Sequence, residues 1–332
     1  MTSCPICSQQ TNLVYKSFLA YQQGQNYDIY FCENCDSSHA NPLKIDEDLY
    51  NYIYTKAKIL PGYDRYYRFA DDVLKVKNPL LYLAETEDTY WAIYDYVINY
   101  KIASDPKILE VGCGLGYLTY SLVKSGYNVK GVDISKEAVQ EATRRYGKYY
   151  EYADIYEYSK TSNEKFDIII LTEVIEHIPD PVGFIAALKD LLSVSGRILV
   201  TTPNKDKIIS KEMYWDTELP PVHLWWLSKK SFQSMASKLN LDVAFTDFTN
   251  FQKNIKEERT YSSPWRQQTL SSEGEILFNV PFNSLRYYIR RYLISHEILN
   301  LWRSIKGKVS KGVVREDISI SDRLCAILKK KE

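Results

Sequence analysis

Three groups of residues in this 332-residue chain have the types and spacing for chemistry. One is Glu173-Val-Ile-Glu176-His177, followed much later by His223 in Pro-Pro-Val-His-Leu-Trp-Trp. An imidazole titrates near neutral pH, so His177, polarised by Glu176, is a candidate general base. On a helix, Glu173 and His177 would share a face at i,i+4. A second option gathers Glu173, Glu176, His177 and His223 around Mg2+ or Mn2+, which would lower the pKa of a bound hydroxyl. The plainest option is that Glu176-His177 caps and packs a loop ahead of Pro179. Trp225 and Trp226 either wall a pocket beside His223 or pack beneath it.

A glycine turn forms the next group, Glu110-Val-Gly112-Cys-Gly114-Leu-Gly116, after the apolar run Lys107-Ile-Leu-Glu-Val111 and before a helical pattern from Tyr117. Glycines there permit a tight strand-to-helix turn and close approach of a ligand to the backbone. Asp133 ends the following apolar run, where an acid can accept both hydroxyls of a ribose. Asp154, in Tyr152-Ala-Asp-Ile155, stands at the next expected strand end, where an adenine amino group could be read. A nicotinamide cofactor would use the same ribose logic, so the residues alone leave two candidates open.

Cysteines make the third group: Cys4-Pro-Ile-Cys7 and Cys32-Glu-Asn-Cys35 hold four of the six in the chain. Each C-x2-C turn aims two thiolates at one ion, and four thiolates close a tetrahedral zinc site. Strand-like runs at 13–19 and 27–31 fit a hairpin with one knuckle at each end, a zinc ribbon. With no open coordination position, such a zinc is structural. The ribbon has no arginine and fewer lysines than acids, so it cannot neutralise many phosphates. Cys113 and Cys325 read as buried thiols.

The elements that must position these groups follow from pattern. Lys+Arg and Asp+Glu balance at 42 each, and 45% of residues are apolar, which excludes global disorder and disfavours a strongly basic nucleic-acid binder. The start of the chain has no signal-peptide pattern, and no apolar run is long enough to span a membrane, so a cytoplasmic protein is expected. Residues 1–42 read as the ribbon and 43–100 as a tyrosine-rich helical lid or linker. In that segment Tyr50, Tyr54, Tyr63, Tyr66 and Tyr67 either pack with wet hydroxyls or line a polar pocket. From 101 to 250 short apolar strands alternate with helices, which demands a mostly parallel sheet covered on both faces. Residues 251–320 read as a basic insertion with a long helix over 284–308, and 321–332 as a returning strand. Residues 251–332 carry sixteen Lys+Arg against nine Asp+Glu, a charge that suits packing, a dimer partner or an anionic lipid surface.

In combination, Glu-Val-Gly-Cys-Gly-Leu-Gly, Val132-Asp-Ile-Ser135, Ala153-Asp-Ile155, Leu-Thr-Glu-Val-Ile-Glu-His-Ile-Pro-Asp-Pro181 and Gly196-Arg-Ile-Leu-Val-Thr-Thr-Pro-Asn204 resemble class I S-adenosylmethionine (AdoMet)-dependent methyltransferases. The resemblance covers roughly residues 100–250. It implies an α/β, Rossmann-like seven-stranded sheet, mostly parallel, with helices on both faces and an antiparallel last strand. It further implies that Glu110, Gly112, Gly114 and Gly116 hold the methionyl part, Asp133 the ribose, and Asp154 with the Ile155 backbone the adenine, with Ile134 also among the cofactor-binding residues.

The Glu-x-x-Glu-His segment is similar to ubiquinone-pathway O-methyltransferases and to small-RNA 3′-end 2′-O-methyltransferases, in which similar residues are metal-linked. Leu-Thr-Glu-Val stands where nucleobase amine methyltransferases carry Asn/Asp-Pro-Pro-Tyr. Oxygen or carbon is therefore the expected target. The ribbon also resembles that of deoxysugar C-methyltransferases, which have a further domain that this chain is too short to hold. The expected acceptor is a hydroxyl of a sugar, nucleotide sugar, lipid-linked glycan or other small metabolite. RNA methylation, C-methylation of a nucleotide-linked sugar and a non-catalytic scaffold are the alternatives. A homodimer and peripheral contact with the inner membrane face complete the expectations.

Overall fold

Unbroken apolar strands need cover on both sides, and the computed structural model shows how this chain supplies it. It describes residues 2–99, 105–207, 219–254, 268–277, 285, 289 and 321–331. Strands β1 (Thr2–Ser3), β2 (Gln10–Leu19), β3 (Asn26–Cys32) and β4 (Ser37–Asn41) come first, antiparallel to one another. Helices α1 (Glu47–Lys56), α2 (Asp64–Asp72), α3 (Pro79–Thr86) and α4 (Asp88–Asn99) follow. The alternating part runs β5 (Lys107–Val111), α5 (Tyr117–Lys124), β6 (Asn128–Asp133), α6 (Lys136–Tyr146), β7 (Tyr150–Tyr152), α7 (Ile155–Thr161), β8 (Phe166–Thr172), α8 (Pro181–Leu191) and β9 (Leu192–Pro203). After it come β10 (Trp225–Trp226), α9 (Lys229–Lys238), β11 (Leu241–Phe245), α10 (Thr249–Asn254) and β12 (Arg323–Lys330).

The larger sheet has seven strands in the order β11-β12-β9-β8-β5-β6-β7. β12 is antiparallel to both of its neighbours, and β9, β8, β5, β6 and β7 are mutually parallel. Successive side chains leave a strand on opposite faces, and here each face meets its own core. Ile169 and Leu171 of β8 pack with Ile185 of α8, Phe232 of α9 and the ribbon residues Ile6 and Ile29. Their neighbours Ile168 and Ile170 pack with Leu83 of α3, Ile93 of α4 and Leu122 of α5. The tyrosine-rich helices thus cover one face of the sheet, while the ribbon shares the other with α8 and α9.

The ribbon is not a separate appendage. β10 pairs antiparallel with β4, so a strand from beyond β9 completes a five-stranded sheet, β1-β2-β3-β4-β10. That pairing, invisible to local sequence pattern, draws the segment carrying His223 between the two sheets.

The expected fold class holds, including the antiparallel last strand. One local expectation changes. No α-helix spans Glu173 to His177: Glu173 lies at φ 56°, and Ile175–His177 is a single 3-10 turn. Most of the helix expected over 284–308 lies outside the described residues, where Leu285 and Ile289 are helical and exposed.

Gly116 caps α5 at φ 77°, and an added Cβ would stand 2.6 Å from the Tyr150 ring and 2.7 Å from the Ala142 methyl. Gly116→Ala therefore combines left-handed strain with overpacking. A loss of about 2 kcal/mol or more is expected. Urea unfolding should show a lower midpoint at unchanged slope.

Candidate functional site

The turn after β5 is built to leave its backbone open. Gly112 and Cys113 donate from their N–H groups to the Val132 carbonyl, at 2.8 and 3.1 Å, which pins the turn to the end of β6. An added Cβ on Gly112 would stand 2.5 Å from Val174. Gly114 lies at φ 50° with nothing within 4 Å of where its Cβ would be, so its backbone borders free space. Asp133, at the tip of β6, accepts from Gly114 N–H at 2.7 Å through one carboxylate oxygen and from Ser135 N–H at 2.8 Å through the other. Burial raises its carboxyl, and those amides pull it back. Ile134 next to it is 67% exposed, an apolar platform beside a polar group. Glu110, on β5, is buried and receives the Thr119 hydroxyl, yet desolvation pushes it up to about 8.

Asp154 serves the fold directly, capping α7 by accepting from Tyr156 N–H at 2.7 Å and Glu157 N–H at 3.2 Å through one oxygen. Ile155 behind it is buried. Tyr54 of α1 is 43% exposed, and the Asp133 carboxylate is the largest influence raising its phenol.

At the end of β8 the acids divide. Glu173 pairs with Arg323 of β12 at 2.8 Å, and Thr89 of α4 donates to it at 3.5 Å. Burial raises Glu173 to about 7; Arg323 opposes this, while Glu176 and Asp88 add to it. Arg65 of α2 completes this group through its ion pair with Glu87 at 3.0 Å. Glu176 turns the other way. It is wholly buried, accepts from the Thr202 hydroxyl at 3.0 Å, and has no hydrogen-bond partner for its second oxygen among the described residues. Its carboxyl too is raised by desolvation, to about 7.

Glu176, His177 and His223 present their ligand atoms within 4.8 Å of one another. The two imidazole rings stand edge to face at 4.8 Å. His177 Nδ1 is 2.6 Å from the Val222 carbonyl. A carbonyl only accepts, so Nδ1 carries the proton and Nε2 is left as the ring's basic atom. Tyr50 of α1 donates to the same carbonyl at 2.9 Å and meets the His177 ring edge-on at 6.0 Å. Of the four residues read as one cluster, three converge. Glu173 does not, because the left-handed backbone there sends its side chain toward β12.

Four thiols meet at the ribbon end, Cys4 Sγ to Cys35 Sγ at 3.6 Å and Cys7 Sγ to Cys32 Sγ at 3.4 Å. Tetrahedral zinc–thiolate bonds of about 2.3 Å set sulfurs about 3.8 Å apart, so the donors fit the ion. Both knuckles close alike, with Ser8 at φ 62° and Asp36 at φ 51° four residues after the first cysteine of each pair. Trp225 and Trp226 are buried and pack rather than wall an opening, and Trp225 donates its indole N–H to Ile178 O at 2.9 Å. Arg323, Arg65 and Thr89 carry no local signal in the sequence; only folding brings them to Glu173.

Residues 86–244 match a family described as a methyltransferase domain. Ubiquinone biosynthesis O-methyltransferase of Pasteurella multocida is 36% identical over 113 residues, 30% of this chain and 47% of the relative. The enzyme of the same name from Neisseria meningitidis serogroup C is 27% identical over 168 residues, 46% of this chain and 70% of the relative. For most of these curated relatives the chain spans about half their length. Among solved structures, magnesium protoporphyrin IX methyltransferase from Synechocystis with bound S-adenosylhomocysteine (AdoHcy) is 18% identical, covering 61% of this chain and 93% of that one at a TM-score of 0.43. Within the described residues no helix is long and apolar enough to cross a membrane.

Glu110 gives the larger sheet a pH signature of its own. Its carboxyl moves from 4.5 to about 8 on folding, so its protonated form is the one burial favours. The stability this protonation contributes is complete below about 4.5 and is lost as pH rises through about 8. Glu110→Gln keeps an acceptor for Thr119 without a charge. It should flatten the fall in stability of the ligand-free protein between pH 5 and 8, by a few kcal/mol on the order of 1.4 per pKa unit. Urea midpoints across that pH range are the measurement.

Proposed function

We propose that the chain is an AdoMet-dependent methyltransferase acting on a hydroxyl of a small metabolite, with a sugar-containing acceptor as the first choice. The observation that carries the reading is the open glycine turn with Asp133 on one side and the Glu176–His177–His223 cluster at the end of the neighbouring β8. AdoMet, when bound, supplies a methyl carbon made electrophilic by its sulfonium. On this reading the Gly112–Gly116 backbone and Glu110 hold the methionyl end, Asp133 takes the ribose hydroxyls, Ile134 flanks the adenine, and Asp154 and Ile155 border its far edge. Tyr54 closes the opening from α1.

His177 Nε2 then takes the proton of the acceptor hydroxyl as its oxygen bonds to the methyl carbon and the carbon–sulfur bond breaks. The Nδ1–H bond to Val222 supports the positive ring that results. Glu173, held near neutrality beside Arg323, is a second proton acceptor at the same strand end. The names of the curated relatives, O-methyltransferases, support oxygen as the target.

One observation supports a metal-assisted variant: the second oxygen of Glu176 is buried without a hydrogen-bond partner among the described residues. A buried carboxylate oxygen of that kind suits a cation. Glu176, His177 and His223 would hold Mg2+ or Mn2+, and the ion would acidify the hydroxyl.

Asp133→Ala should weaken AdoHcy binding by about a hundredfold or more, measured calorimetrically; unchanged affinity would remove the cofactor assignment. His177→Ala should lower turnover by about 10²–10⁴ with AdoHcy affinity preserved. Sugars, nucleotide sugars and lipid-linked glycans screened with AdoMet by mass shift would identify the acceptor. Turnover that survives a chelator selective for Mg2+ and Mn2+ would exclude the metal variant.

A further inference from the structure

The segment that carries Val222 and His223 takes its position from the ribbon. Tyr21 N–H, in the loop after β2, donates to Pro220 O at 2.7 Å. Ala40 N–H of β4 donates to Leu224 O at 2.9 Å, and Leu224 N–H donates to Glu176 O at 2.9 Å. One residue, Leu224, thereby ties β4 on one side to the catalytic turn on the other. The next two residues form β10, in register Trp225 with His39 and Trp226 with Ser38. The His39 ring lies 5.1 Å from that of Trp225, whose indole in turn holds Ile178, just beyond His177.

β4 starts two residues after Cys35, and the thiol cluster decides where it lies. Ser37 Oγ is 3.1 Å from Cys35 Sγ. The core also grips the knuckles: the Ser231 hydroxyl donates to Cys35 O at 3.0 Å, Lys230 Nζ to Glu33 O at 3.0 Å, and Lys238 Nζ to Ile6 O at 3.1 Å. A path of direct hydrogen bonds and packed rings therefore runs from the four thiolates through β4 and Leu224 to Val222, His223 and Glu176. The cofactor turn, by contrast, draws its bonds from β5, β6, β7 and α5.

We infer that the zinc ribbon positions the catalytic histidines: with zinc bound, β4 holds the 219–227 segment so that Val222 O fixes the His177 tautomer and His223 stays beside it. Zinc loss disorders that pair while the cofactor turn keeps its shape. His39 and Trp225 are positioning residues, acting through the segment they hold. The inference rests on the proposed role of His177, and it assigns the ribbon a role beyond support of the fold.

The test uses the full chain, labelled with 15N-histidine, before and after zinc is withdrawn with a chelator. Metal content is followed by mass spectrometry, and the four histidines are assigned by single substitutions. In the zinc-loaded protein, long-range 1H–15N spectra should show His177 as the Nδ1–H tautomer. After withdrawal, His177 and His223 should become tautomeric mixtures, while AdoHcy affinity changes by less than about threefold. Zinc re-addition should restore the spectra. His39→Ala, with all four cysteines in place, should perturb the same two imidazoles at full zinc content; this variant decides the matter if the zinc-free chain unfolds.

Unchanged His177 and His223 signals in zinc-free protein or in His39→Ala would overturn the inference. So would a parallel loss of AdoHcy binding in His39→Ala, since that marks general support of the fold. Failure of the zinc-loaded wild type to bind AdoHcy would refute the cofactor reading instead, and the histidine spectra would still decide the positioning role.

Discussion

One carbonyl oxygen, that of Val222, organises the reaction end of this molecule. It accepts the Nδ1–H of His177 and the hydroxyl of Tyr50, filling both of its lone pairs. Because it can only accept, it selects one imidazole tautomer and directs the basic nitrogen away from itself. Val222 is wholly buried, in an apolar cluster with Tyr21 from the ribbon side, Leu49 and Ile53 of α1, and Leu270. The ribbon, the helical cover and the segment at 268–277 therefore converge on a single peptide group. A backbone carbonyl so enclosed has little freedom to shift, and the ring it holds inherits that rigidity.

A second constraint is the desolvation of three carboxylates at the ends of two adjacent strands, Glu110 and Glu176 fully buried and Glu173 partly so. Each is raised toward neutrality by desolvation, and each has a different partner: the Thr119 hydroxyl, the Arg323 guanidinium and the Thr202 hydroxyl. Packing for stability alone would favour apolar side chains at such positions. The strained backbone at Glu173 belongs to the same pattern, since a left-handed conformation at a non-glycine residue persists only where its surroundings hold it. Strain and buried charge thus coincide at the strand ends proposed to hold a ligand and a proton acceptor.

Much of this was legible in the residues. The strands Lys107–Val111 and Asn128–Asp133 and the helix Lys136–Tyr146 announce themselves, because the two short valine-bearing strands flank the glycine turn and the helix is bounded by Ser135 and Gly147. The four cysteines declare their partnership by spacing. The Glu173–His177 segment misleads: its i,i+4 spacing suggests one helical face, yet the chain makes a single 3-10 turn, and the two side chains part company. Local spacing cannot foresee a left-handed residue that is stabilised by Arg323 from the last strand and by its own N–H on Thr201 O at 3.1 Å.

By itself, then, the sequence determined the kinds of groups available and the elements that carry them: a four-thiolate cluster, a glycine turn with an acid one strand away, and an acid–imidazole pair after a buried strand. Each depends on spacing within a few residues, which short-range geometry settles. Only the tertiary structure decided which groups meet. It sent Glu173 to Arg323, brought His223 to His177 and Glu176, and joined β10 to β4 so that the chain leaving His223 runs into the sheet that carries the cysteine cluster. Those meetings depend on contacts between residues far apart in the chain, and such contacts are set by how two buried faces and a shared strand edge pack together.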